Sequence, residues 1–230
     1  MCFSPEASFA GGVIISAIGV ATVKKIHNPS QIVFASIPLF FGIQQIAEGF
    51  LWMTLPDHDF LNVQKISTYL FLILAQVIWP SMIPVSVMLM ADNIKRKKIL
   101  RILSGIGVLL SMYYAFCLLT FNVSPEISGF HILYKNEFPP SLSNPAFSVY
   151  LTVTITPLFV SGIKRTWLLG ILMSLSCLVS AYFFTQYLTS VWCFFAALIS
   201  MVIFWILSDS KKNFILNRLK LLKTGAGAIA

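Results

Sequence analysis

Long apolar runs alternate along the chain with short polar joints, and most runs approach the ~20 residues that cross the hydrocarbon core of a bilayer. The pattern predicts seven helical spans. The first covers Pro5 to Val23, and the second follows Asn28-Pro29 and ends near Met53. The third covers Asn62 to Met90, the fourth Ile99 to Phe121, and the fifth, Phe147 to Val160, is the shortest. Trp167 to Gln186 and Val191 to Leu207 complete the set. Pro38 predicts a bend in the second span; Pro80 and Pro84 interrupt the third and Pro157 the fifth. Ser4 reads as an N-cap with Pro5 at the first helical position. Ala10, Gly11, Gly12, Ser16 and Gly19 give the first span a small-residue face suited to close helix approach.

Two segments fall outside this pattern. Asn122 to Ala146 form a 25-residue loop rich in apolar groups, among them Phe130, Ile132, Leu133, Tyr134 and Phe138. A loop of that length calls for a role, and it reads either as a lid over the bundle mouth or as an ordered cap without a ligand. Lys211 to Lys223 mix Phe214, Ile215, Leu219 and Leu222 with five cations, the composition of an amphipathic helix on anionic lipid. Thr224 to Ala230 are expected to be disordered. The organisation is therefore a transmembrane domain over residues 1–208 and an amphipathic tail over 209–230, with no internal repeat.

Charge fixes the orientation. Of the 230 residues 57% are hydrophobic and 10% charged, against about 25% charged in soluble domains. The net charge of +8 does not point to nucleic acid, because its carriers sit in the joints between spans. Lys24, Lys25, Lys95, Arg96, Lys97, Lys98, Arg101, Lys164, Arg165, Lys211, Lys212, Arg218, Lys220 and Lys223 fall on one side; Lys65 and Lys135 fall on the other. A 14-to-2 split places the N-terminus outside and the C-terminus in the cytoplasm. The fold class expected is all-α, a seven-helix transmembrane bundle. Without a basic leader, and with Lys24 and Lys25 after the first run, that helix is expected to be retained.

Glu48 is the leading candidate for chemistry, because an ionisable group within a span is costly. Gln44, Gln45, Glu48 and Trp52 share a helix face by their spacing. Gln76 lies at a similar depth in the third span, and Tyr113, Tyr114 and Tyr182 at similar or shallower depth. These groups read either as a ligand or proton site, with Trp52 and Trp192 as walls, or as an interhelical polar knot around a protonated carboxyl. Cys2 and Cys193 fall at span ends on the outer side, where they form a candidate disulfide or thiol pair. Cys117 and Cys177 read as small core residues. His27, His58 and His131 do not share one side, so no metal site is expected. Asp57-His58-Asp59 reads first as an acidic turn capping the third span. Thr152, Thr154 and Thr156 are expected to bond helix carbonyls. The last span carries no lysine, which disfavours a retinal pigment. No catalytic motif and no cofactor are identifiable.

The opening Met1-Cys2-Phe3-Ser4-Pro5-Glu6-Ala7-Ser8-Phe9, the block from Phe41 to Gly49 and the block from Ser190 to Ala196 resemble a functionally uncharacterised family of small bacterial multi-pass membrane proteins. The resemblance implies a bacterial cytoplasmic (inner) membrane protein and supplies no activity. The favoured expectation is a protein that binds a small molecule or ion in an outward-facing polar pocket, for sensing or transport, with membrane lipid as its other partner. The alternatives are an intramembrane enzyme acting on a lipid or quinone, and a structural or assembly subunit without a ligand.

Overall fold

The computed structural model describes residues 4–129, 131–183 and 195–226. Seven long helices and one two-stranded sheet make up the described residues. The helices are α1 (Pro5–Val23), α2 (Pro29–Thr54, opened by a 3-10 turn), α3 (Leu61–Met90) and α4 (Ile94–Thr120). After the strands β1 (Val123–Ser128) and β2 (His131–Asn136) come α5 (Pro140–Val160), α6 (Thr166–Phe183) and α7 (Ala196–Ala226). Helices α1 to α4 are each long and apolar enough to cross a membrane.

Local chemistry explains the helix starts. Ser4 caps α1 by accepting the Ala7 N–H at 3.2 Å, with Pro5 in the first turn. Asn28 and Asn93 cap the starts of α2 and α4 in the same way. Between α1 and α2 the small residues allow the backbones to meet. A Cβ on Gly12 would stand 2.7 Å from Ile46 Cγ1 and 3.2 Å from the Gly42 carbonyl oxygen. One on Gly42 would collide with the Ser16 hydroxyl. Of the small-residue face, Gly11, Gly12 and Gly19 are buried and Ser16 half-buried, while Ala10, Val13, Ile14 and Val20 look outward.

Pro80 shapes α3. Residues Ile73–Ile78 form a π-helical segment, and the Trp79 N–H reaches back five residues to the Leu74 carbonyl. Pro80 has no N–H. The Ala75 carbonyl therefore has no donor from Trp79 or Pro80. Tyr150 of α5 supplies one, its hydroxyl donating at 2.8 Å. Ser111 of α4 donates to the Val77 carbonyl at 2.6 Å. Gly107 of α4 lies directly under the Pro80 carbonyl, where a Cβ would overlap the oxygen. One irregular turn thus ties three helices together.

Several boundaries differ from the sequence expectation. Helix α5 begins at Pro140 rather than Phe147, because Pro140 opens it and its first exposed turns carry Ser141, Ser143 and Asn144, which hydropathy does not register. Helix α4 begins at Ile94, so the Lys95–Lys98 run is helical. Helix α7 runs without a break through residue 209 and past Thr224 to Ala226. The stretch from Asn122 to Ala146 is not irregular, and the fold is not purely helical. It holds an antiparallel hairpin with Ile127 opposite Ile132, turned at Gly129 with φ +61. Ile132 is fully buried against Leu51 and Trp52, and Tyr134 stacks on Phe71 at 4.7 Å. The Lys135–Glu126 ion pair on this hairpin is more than half exposed and contributes little.

Gly107→Leu should lower the melting temperature of the detergent-solubilised protein, through overpacking that costs about 1–3 kcal/mol. Gly105→Ala on the same helix meets nothing within 4 Å and should leave it unchanged or raised. Equal effects from the two would refute the packing role of Gly107.

Candidate functional site

The last turns of α2 place four polar or aromatic side chains on one inward face. Gln44 is 1% exposed, Gln45 and Glu48 are 0%, and Trp52 is 8%. The i, i+3, i+4 spacing stacks them along the axis. The Gln45 amide donates to the Glu48 carboxylate at 3.5 Å, a long bond at the edge of hydrogen-bonding range. Gln44 accepts a hydrogen bond from the Trp79 indole of α3 at 3.0 Å. The Trp79 ring lies 4.3 Å from that of Phe41, which fixes the direction of the indole N–H.

Gln76 lies in the π-helical segment, one turn before Trp79. Its side-chain oxygen is enclosed and has no hydrogen-bond donor among the described residues. The Trp52 indole nitrogen is likewise enclosed without an acceptor among them. Trp52 packs under Ile132, so the hairpin covers this end of α2. Burial on the hairpin pushes the His131 imidazole below its ordinary pKa range.

The structure brings together Gln44, Gln45, Glu48 and, through the hairpin contact, Trp52. Tyr182 does not join the buried group: it is 82% exposed on α6. Tyr113 and Tyr114 pack on each other at 5.4 Å, and Tyr114 meets Tyr150 edge to face at 6.5 Å. Cys2, Trp192 and Cys193, with the thiol pair they include, lie outside the described residues. Cys117 and Cys177 are free and buried. Asp57 accepts the Asp59 N–H at 3.0 Å at the turn before α3. Thr152 and Thr154 donate to the carbonyls of Ser148 and Tyr150.

Two participants escaped the sequence reading, Trp79 and Tyr150. Both had a signal. Trp79 precedes a proline inside a span, and Tyr150 is a phenol in an apolar run, where its hydroxyl needs an acceptor. A buried carboxyl that accepts one long bond from the Gln45 amide nitrogen keeps acceptor capacity that suits a proton, a cation or a ligand that brings hydrogen-bond donors.

The profile of a family of unknown function (DUF6629) matches residues 1–216, and the chain belongs to that family. No curated protein matches it.

Tyr150→Phe removes the donor to the Ala75 carbonyl and keeps the ring. It should destabilise the protein by about 1–3 kcal/mol, the penalty for a stranded buried carbonyl. Thermal unfolding in detergent measures it, and a melting temperature equal to the wild type would remove Tyr150 from the account of α3.

Proposed function

We propose that this chain is a seven-span protein of a bacterial cytoplasmic membrane that binds a small molecule or ion at Glu48, for sensing or transport. The N-terminus lies outside and the C-terminus inside, so the hairpin end faces outward. The observation that carries the reading is a carboxyl with no exposure, held on a span beside two buried glutamines. Burying such a group costs several kcal/mol unless it is protonated or paired. A pure packing role is met more cheaply by an apolar residue.

Membrane insertion has independent support. Leu109, Met112, Phe116 and Leu119 form an outward stripe on α4, each at least 61% exposed. Contiguous apolar surface of that kind is unfavourable in water and natural in lipid. On this reading the hairpin is the lid, because its Ile132 packs on Trp52, one turn from Glu48. The second reading is a structural subunit whose polar knot holds α2 in place, which the complete enclosure of Glu48 favours.

The decisive substitution is Glu48→Gln, which keeps the shape and removes the titratable proton. The full chain in detergent is titrated with protons, then with a panel of monovalent cations and small amines, while tryptophan emission and melting temperature are followed. Trp79 bonds to Gln44 and so reports on the cluster. The wild type should respond to pH or to a panel member, and Glu48→Gln should fold equally well with at least a tenfold weaker response (about 1.4 kcal/mol). A wild type that responds to nothing, with a variant of equal stability, would sustain the structural reading instead.

Orientation has its own test. A cysteine replacing Lys97 should react with a membrane-impermeant reagent only after the cells are permeabilised. Labelling in intact cells would reverse the proposed topology.

A further inference from the structure

The opposite end of the bundle holds a cleft of about 400 Å³. The α1–α2, α3–α4 and α5–α6 joints and the middle of α7 line it. Its size falls in the range of small-molecule sites. Gln31 lies at the start of α2 and Glu48 17 residues on, so the two regions are roughly 26 Å apart along the helix axis.

Its polar groups are held in place by the fold. Gln31 is 5% exposed. Its side-chain oxygen accepts the His27 N–H at 3.2 Å, and its amide nitrogen lies 3.3 Å from the Ser210 hydroxyl and 3.4 Å from His27 Nε2. One side chain therefore joins the α1–α2 joint to α7. Arg96 lies across Gly162, a residue with φ +69 whose missing Cβ leaves the room that the guanidinium fills. Lys164 stands beside it in the same lining.

The charge of this end is unbalanced. Lys95, Arg96, Lys97 and Lys98 occupy the first turns of α4. That is the positive end of the helix dipole, where cations are disfavoured and anions favoured. Asp209 pairs with Arg165 at 2.7 Å and lies 3.9 Å from Lys164. Asp92 is the acid that lines the cleft itself. The N–H groups of Lys95 and Arg96 are already capped by Asn93, so the donors on offer are side chains. A guanidinium and an ammonium with amides and hydroxyls beside them make up a donor set that recognises phosphate.

We infer that this cleft binds a phosphate group, with Arg96 and Lys164 as its cationic contacts and Gln31, Ser210 and Asn93 as the neutral polar frame. The group comes either from the head of an anionic membrane lipid or from a soluble phosphate compound.

The test uses the purified full chain and two arms. In one, inorganic phosphate is titrated at constant ionic strength, with chloride as the control, and thermal stabilisation is read. In the other, the chain is placed in nanodiscs of phosphatidylcholine with or without phosphatidylglycerol, and retained lipid is measured by native mass spectrometry. Stabilisation by free phosphate identifies a soluble source, and selective retention of phosphatidylglycerol identifies a lipid. Arg96→Gln should weaken the responding arm about tenfold, while Lys95→Gln, outside the lining, should change it less than about twofold. Lys164→Gln serves where Arg96→Gln fails to fold. Equal losses from Lys95→Gln and the cleft variants would reduce the effect to a diffuse basic surface and overturn the site, as would no response of the wild type in either arm.

Discussion

Every buried backbone carbonyl needs a donor, and Pro80 removes one from the middle of α3. The penalty for a stranded carbonyl is about 1–3 kcal/mol. The chain meets it by widening one turn into a π segment and by recruiting the Tyr150 hydroxyl for the Ala75 carbonyl. Ser111 adds a bond to the Val77 carbonyl, whose helical donor Pro80 does not remove. Both bonds work only if α4 and α5 sit at one height and rotation against α3. Gly107 completes the fit, because any side chain there would strike the Pro80 oxygen. The turn around Pro80 is thus where α4 and α5 both meet α3.

The same turn sets the polar cluster. Widening a helix by one residue rotates every later side chain about the axis, and Trp79, just after the widened turn, reaches Gln44. Gln44 and Gln45 frame Glu48 on α2. The π segment therefore connects the packing of α3 to the surroundings of a carboxyl on another helix. π segments recur at functional sites because they re-aim side chains without breaking a helix.

Periodicity and hydropathy capture the features that depend on single helices. The α1 cap at Ser4, the small-residue face at Gly12 and Gly19, and the shared face of Gln44, Gln45 and Glu48 all arise from local spacing. The hairpin was hidden because Pro125 interrupts β1 and its partner strand lies across a turn. The early start of α5 was hidden because its first turns are polar. The roles of Trp79 and Tyr150 depend on which carbonyl Pro80 frees and which helix lies beside it, and those are tertiary facts. Position along the chain puts Tyr182 at similar or shallower depth than the cluster, but depth carries no information on rotation about α6, where its side chain is 82% exposed.

Helix α2 carries a buried acid near one end and the Gln31 frame of a donor-lined cleft at the other. Electrostatics alone couples these ends weakly. Two unit charges roughly 26 Å apart interact by about 0.6 kcal/mol at an effective dielectric of 20. That changes an affinity by about threefold at most, and salt reduces it further. An anion in the cleft therefore has little leverage on the protonation of Glu48 through the field. Stronger coupling would have to be mechanical, carried by movement of α2 itself. Pro38 lies between the two regions and lacks the N–H that would brace the turn before it. The packing of Gly12 and Gly19 against Gly42, Ile46 and Leu39 resists such movement, because backbones this close cannot slide without collision. The two ends are thus separate polar regions of one helix, each built by the residues around it.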